Sequence, residues 1–148
     1  DQAAEHGASL TLNVGEIGFK ELKGGVKGLA KEHGIPTYRH KIFETSGTDA
    51  GQTTAFGLVG HGSYLSVVGF TPKKVEIRLS NLMAFDATAE GVWGCLPEHY
   101  PAIVDMVLAG KIVLEPFIEY RSMSTINDVF ADLHAGKISR RVILSPEG

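Results

Sequence analysis

Apolar and polar positions in this chain follow two periods, about two residues and about 3.6, and the changes between them fall at glycines and prolines. The stretch from Lys41 to Phe70, KIFETSGTDAGQTTAFGLVGHGSYLSVVGF, contains both periods. A short apolar run over Lys41 to Thr45 predicts a strand that stops at Ser46-Gly47. A short amphipathic helix follows, over about Ala50 to Val59, and ends in the breaker Gly60-His61-Gly62. A second apolar run, Tyr64 to Val68, stops at Gly69. Strand, helix and strand at this length make one βαβ crossover, so the two strands should be parallel neighbours. Open parallel sheets bind ligands outside the carboxyl ends of their strands. Ser46-Gly47 and Gly69-Phe70 are those ends, although locally both glycines serve equally well as ordinary turn residues.

The same patterns place the other elements. Gln2 to His6 reads as the last turns of a helix closed by Gly7. Ala8 to Asn13 alternates and predicts a short strand. Leu22, Val26, Leu29 and Ala30 recur at helical spacing between Ile17 and His33. Gly18, Gly24, Gly25 and Gly28 interrupt that pattern, each at about 1 kcal/mol against alanine, so packing must hold this helix. Val75 to Leu79 alternates as a further short strand, Asn81 to Phe85 makes a helical turn, and Thr88 to Trp93 is a strand whose glycine suggests a bulge or a close backbone approach. A helix starts near Pro97, carries Ile103, Val104, Val107 and Leu108, and closes at Gly110. Ile112 to Tyr120 is extended, with Pro116 confining it to an edge or to two pieces. Ser122 or Ser124 caps a helix bearing Ile126, Val129, Phe130 and Leu133. Arg140 to Leu144 is a last strand, and Pro146-Glu147-Gly148 a loose tail.

Composition narrows the function classes. The chain has 148 residues, 43% of them apolar and 21% charged, as in a globular domain. A net charge of −3 provides no basic footprint, so a nucleic-acid partner is not expected. No apolar run has the length to span a bilayer and no signal peptide is visible, so no membrane partner is expected either. The single Cys95 fits a reducing, cytoplasmic compartment.

Candidate chemistry is sparse. Among Cys95 and the six histidines, only Cys95 and His99 lie close in sequence, and two residues are too few for a zinc site. His6, His33 and His134 sit near helix carboxyl ends, where the dipole favours a cation. Ser46 lacks a placed histidine, and Glu44 reads as a structural or hydrogen-bonding group within a strand. Gly60-His61-Gly62 precedes a strand instead of opening a helix, so it is no phosphate fingerprint. The Arg140-Arg141 pair could contact an anion or simply be solvated.

In order along the chain stand GASLTLN, KIFETSG, GSYLSVVGF, EGVWG, LAGKI, EPFIEY, INDVFADLHAGKI and SRRVIL. This series resembles the carboxyl-terminal part of the medium-chain, zinc-type alcohol dehydrogenases over essentially the whole chain. ETSGTDAGQTTAFGL and SVVGFTPKKVEIRLSNLMAF are similar to one branch, the 6-hydroxycyclohex-1-ene-1-carbonyl-CoA dehydrogenases of anaerobic aromatic degradation. The resemblance implies an NAD-dependent oxidation of a secondary alcohol to a ketone by hydride transfer, with a small-molecule substrate that the branch makes an acyl-CoA. By position, Val68, Gly69 and Phe70 would lie against the nicotinamide. Val92 and Trp93 would bond the carboxamide and build the edge of a homo-oligomer. Thr45, Ser46 and Gly47 would line the cofactor groove, and Arg141 would reach the pyrophosphate. The zinc ligands of the family lie in segments this sequence does not contain, so no metal ligand is assigned. The implied fold is α/β: a partial Rossmann-type parallel sheet of strands 3 to 6 over residues 1–112, then a segment, 113–148, returning to the catalytic domain. Two alternatives to the alcohol dehydrogenase are a non-enzymatic α/β binding or assembly module and a zinc-free relative like the quinone reductases.

In the strand order 3-2-1-4-5-6, strands 1 and 2 lie between residues 8–13 and residues 41–45. Neither is in this sequence, which leaves open strand edges. The chain alone is therefore expected to be catalytically inert, and either poorly folded or paired with a missing amino-terminal part or another copy. A well-dispersed NMR spectrum from a demonstrated 148-residue monomer would overturn that expectation.

Overall fold

Three short parallel strands carry the first half of the chain. In the computed structural model, which describes residues 2–146, β1 is Lys41–Glu44, β2 Tyr64–Val67 and β3 Thr88–Gly91. They pair in the order β1-β2-β3, with Lys41 opposite Tyr64 and Tyr64 opposite Thr88. The central strand β2 buries consecutive residues, Leu65 and Ser66, because a strand with a neighbour on each side and cover on both faces has no solvent face. Tyr64 bridges to the edge strand, its hydroxyl donating to Glu90 Oε2 at 2.5 Å. That bond, with some desolvation, holds the phenol above its ordinary pKa of 10.0.

The βαβ unit has the expected connectivity. Helix α3, Asp49–Gly57, starts where the Thr48 side chain accepts from Gly51 N at 2.9 Å. Ala55, Phe56 and Val59 then pack against Leu65, and Ile42, Val67, Leu82, Phe85 and Ala87 surround this cluster. Leu82 belongs to the short helix α4, Ser80–Ala84. Helix α2, Phe19–Glu32, buries Leu22 and Ala30. Of its glycines only Gly25 serves packing; a Cβ on Gly24 or Gly28 would meet open space. A Cβ on Gly25 would lie 2.9 Å from Leu12 Cδ1, and one on Gly57 of α3 would lie 2.6 Å from Phe19 Cζ. At the amino end, α1 is Gln2–Glu5, and Gly7 takes a left-handed φ of +97°.

The chain packs as two units, which divide between Gly94 and Cys95. The second unit contains α5 (Tyr100–Leu108), β4 (Ile118–Ser122), α6 (Ile126–His134) and β5 (Arg141–Ser145). β4 and β5 pair in parallel, with Ile118 opposite Arg141, and Val129 of α6 is buried. Arg121 donates to Glu119 at 2.8 Å and to Asp132 at 3.1 Å, which ties β4 to α6.

Four expectations are corrected. Residues 8–13 form no strand, because no neighbouring strand offers them a ladder; Leu12 instead packs into the gap left by Gly25. Residues 75–79 are likewise irregular, with no strand paired to them; Val75 and Ile77 line a small cavity with Phe56 and Leu65. The strand expected over Thr88 to Trp93 ends at Gly91, with no bulge and open space where a Cβ would sit. Extended structure is absent from most of 112–117: Pro116 lies in a 3₁₀ turn, Glu115–Phe117, and the strand begins after it. Ser122 caps a 3₁₀ turn, Met123–Thr125, ahead of α6. Of the expected tail, Glu147 and Gly148 lie outside the described residues.

Leu65, 3% exposed, is the strand's anchor in the core. Leu65→Ala should cost about 2–5 kcal/mol, read from the shift in the denaturant midpoint.

Candidate functional site

The first and second strands leave the sheet side by side, and one residue ties their ends together. Glu44 is the last residue of β1, and its carbonyl accepts from both Val68 N and Gly69 N, each at 2.9 Å. Its side chain is 4% exposed. Oε1 accepts from Ser46 N at 2.8 Å, Ser46 Oγ at 2.6 Å and Gly47 N at 3.2 Å. Among the described residues Oε2 is buried without a partner. The turn is extended outward by Ser46 Oγ, 3.1 Å from Thr48 Oγ1. From α3, Gln52 Nε2 donates to Gly69 O at 3.0 Å.

This geometry explains the two glycines. Gly47 has φ +64°, and a Cβ there would lie 2.7 Å from Phe70 O. Gly69 has an ordinary φ but no room: its Cβ would overlap Gly47 N and lie 2.7 Å from Glu44 Oε2. Backbone meets backbone here, so neither position admits a side chain without moving the turn.

Beyond this contact, the ends of β2 and β3 flank an open cavity of about 380 Å³. Val68, Gly69, Phe70, Val92 and Trp93 all line it. Phe70 is 77% and Trp93 99% exposed, so both present whole apolar faces to solvent. Ser46 and Gly47 form the adjoining turn, and Thr45 stands exposed just after β1. In the second unit, Arg141 opens β5 and lines a cavity of that unit with Val129, Phe130 and Arg140. At the first turn of α3, Lys73 Nζ lies 3.3 Å from Asp49, and this hydrogen bond holds the Asp49 carboxyl below its ordinary pKa.

Sequence patterns missed Gln52 and Thr48. Thr48 carries a readable signal, a hydroxyl residue immediately before a helical pattern; Gln52 carries none. Glu44, expected to be a hydrogen-bonding group, is one. Among the described residues no three His, Cys, Asp or Glu side chains come together to hold a metal. Cys95 is exposed, its thiol 3.5 Å from Leu96 O. No described helix is long and apolar enough to cross a membrane.

No protein-family profile matches the chain. Among curated proteins, L-threonine 3-dehydrogenase of Thermococcus kodakarensis is 27% identical over 111 residues, which cover 72% of this chain and 32% of that protein. Among solved structures, an alcohol dehydrogenase from Thermotoga maritima superposes with a TM-score of 0.79 at 25% identity, covering 98% of this chain and 40% of that one. An alcohol dehydrogenase from Escherichia coli CFT073, solved with the cofactor NADH, superposes with a TM-score of 0.70 at 16% identity, over 97% and 40% of the two chains. The chain thus has the α/β fold of these dehydrogenase segments and spans about two fifths of the lengths of the solved structures.

The glycine contact makes a direct prediction. Gly69→Ala should destabilise the chain by about 1–3 kcal/mol, because its Cβ meets backbone and a buried carboxyl group. Gly94→Ala, with open space around the new atom, should shift stability by about 0.5 kcal/mol or less in the same denaturation measurement.

Proposed function

We propose that this chain supplies part of the nicotinamide-cofactor domain of a medium-chain alcohol dehydrogenase. One observation carries the proposal: two strand ends of a parallel sheet meet through Gly47 and Gly69 beside an open, largely apolar cavity. That is where open parallel sheets bind ligands, and the missing side chains let a ligand approach main-chain groups. The dehydrogenase identities of the relatives support the same reading.

Val68, Gly69 and Phe70 would receive the nicotinamide, and Val92 and Trp93 its carboxamide. Thr45, Ser46 and Gly47 form the neighbouring wall, and Arg141 is assigned to the pyrophosphate. When bound, NAD supplies the hydride acceptor for oxidation of a secondary alcohol. The chain's own contribution is to bind and orient that cofactor through backbone amides, carbonyls and apolar faces. The residues described do not fit zinc, and no step of this proposal involves it. The finer parts are proposals of the same kind. They are residues 1–112 as the cofactor-domain part, a cytoplasmic enzyme, an acyl-CoA substrate such as 6-hydroxycyclohex-1-ene-1-carbonyl-CoA, and self-association along β3. The exposure of Trp93, just beyond the end of that strand, favours the last.

The test is an NADH titration followed by quenching of Trp93, the single tryptophan. The chain alone should show no saturable quenching. With the glycine-fingerprint segment of a related dehydrogenase supplied in trans, quenching should saturate. Absence of saturation in both arms would overturn the proposal.

A further inference from the structure

Glu44 is a buried acid that the proposed chemistry leaves unused, and its geometry gives it a function. Its backbone carbonyl holds the exit of β2 through Val68 N and Gly69 N. Its side-chain Oε1 holds the exit of β1 through Ser46 N, Ser46 Oγ and Gly47 N. One residue therefore fixes both loops that meet at the Gly47–Gly69 contact. The side chain is 4% exposed, and its second oxygen faces the space that a side chain at Gly69 would fill. An unpartnered buried oxygen is costly, so bulk alone does not account for an acid at this position. An apolar residue would fill the volume without that cost but would leave three donors unmatched.

We infer that Glu44 is a positioning residue for the cofactor groove: it acts as the acceptor that fixes the Ser46–Gly47 turn against Gly69, and it touches no ligand. The inference rests on the cofactor reading for its consequence, but the fixing of the turn stands independently of it. A positioning role requires both an acceptor and the right reach. Glutamine keeps both, methionine keeps the reach without the acceptor, and aspartate keeps the acceptor but draws it back by one methylene.

The experiment compares Glu44→Gln, Glu44→Met and Glu44→Asp, on the chain alone and with the fingerprint segment supplied. Amide hydrogen exchange at Ser46 and Gly47 is the first readout, with Leu65 and Ser66 of the central strand as the internal reference. NADH affinity is the second. Glu44→Gln should keep exchange and affinity within about threefold of the parent. Glu44→Met should speed exchange at Ser46 and Gly47 more than about tenfold and weaken NADH by a similar factor, with Leu65 and Ser66 unchanged. Should Glu44→Met fail to fold, Glu44→Asp carries the same expectation, since a merely space-filling acid would tolerate it. Unchanged exchange at Ser46 and Gly47 in both Glu44→Met and Glu44→Asp overturns the inference. So does unchanged NADH affinity in variants whose turn has loosened. Loosened turns together with a parent that never binds NADH would uphold the positioning of the turn and overturn the cofactor reading.

Discussion

The approach of Gly69 to Gly47 is the contact on which the rest of the first unit depends. Where two parallel strands leave a sheet side by side, the ladder stops and the backbone groups of their exits need other partners. Here Glu44 supplies them on both sides, through its own backbone carbonyl and through its carboxyl oxygen. Gln52 adds a bond from α3 to Gly69 O. The result is a surface of main-chain groups at the sheet's carboxyl edge, with Phe70 and Trp93 standing beside it.

Packing elsewhere follows the same economy of side chains. Helix α2 contains glycines that propensity disfavours, and at Gly25 the missing side chain admits Leu12. At Gly57 of α3 the Phe19 ring occupies the equivalent gap. The central strand buries Leu65 and Ser66 in succession, while every residue of β3 is exposed. Beyond Trp93 the chain starts its second unit, whose parallel pair β4 and β5 is tied to α6 by Arg121.

The relatives bear on these features in proportion to their similarity. The solved dehydrogenases establish the fold, and the curated threonine dehydrogenase extends the likeness to sequence over 72% of the chain. Gly47 and Gly69 follow the carboxyl ends of β1 and β2. Arg141 belongs to the second unit, where it opens β5.

The βαβ unit was legible in the sequence because its signals are local: apolar runs of strand length, a helical period, and glycines at the breaks. The ends that would form a ligand site, Ser46-Gly47 and Gly69-Phe70, came with it. So did α2, α6 and the last strand, and α5 with its start three residues later than expected, after a 3₁₀ turn over Pro97–His99. Whether an alternating segment becomes a strand is not local, since a ladder needs a neighbour. Residues 8–13 and 75–79 had the pattern and lacked the neighbour, and only the tertiary structure could show that. The functions of the glycines divide in the same way. That Gly47 would be a turn glycine was readable from its place at a strand end. That Gly69 must be glycine because another backbone occupies the site of its side chain depends on residues twenty-two positions away. The same holds for Glu44, whose identity as a hydrogen-bonding acid was visible but whose partners were chosen by the fold.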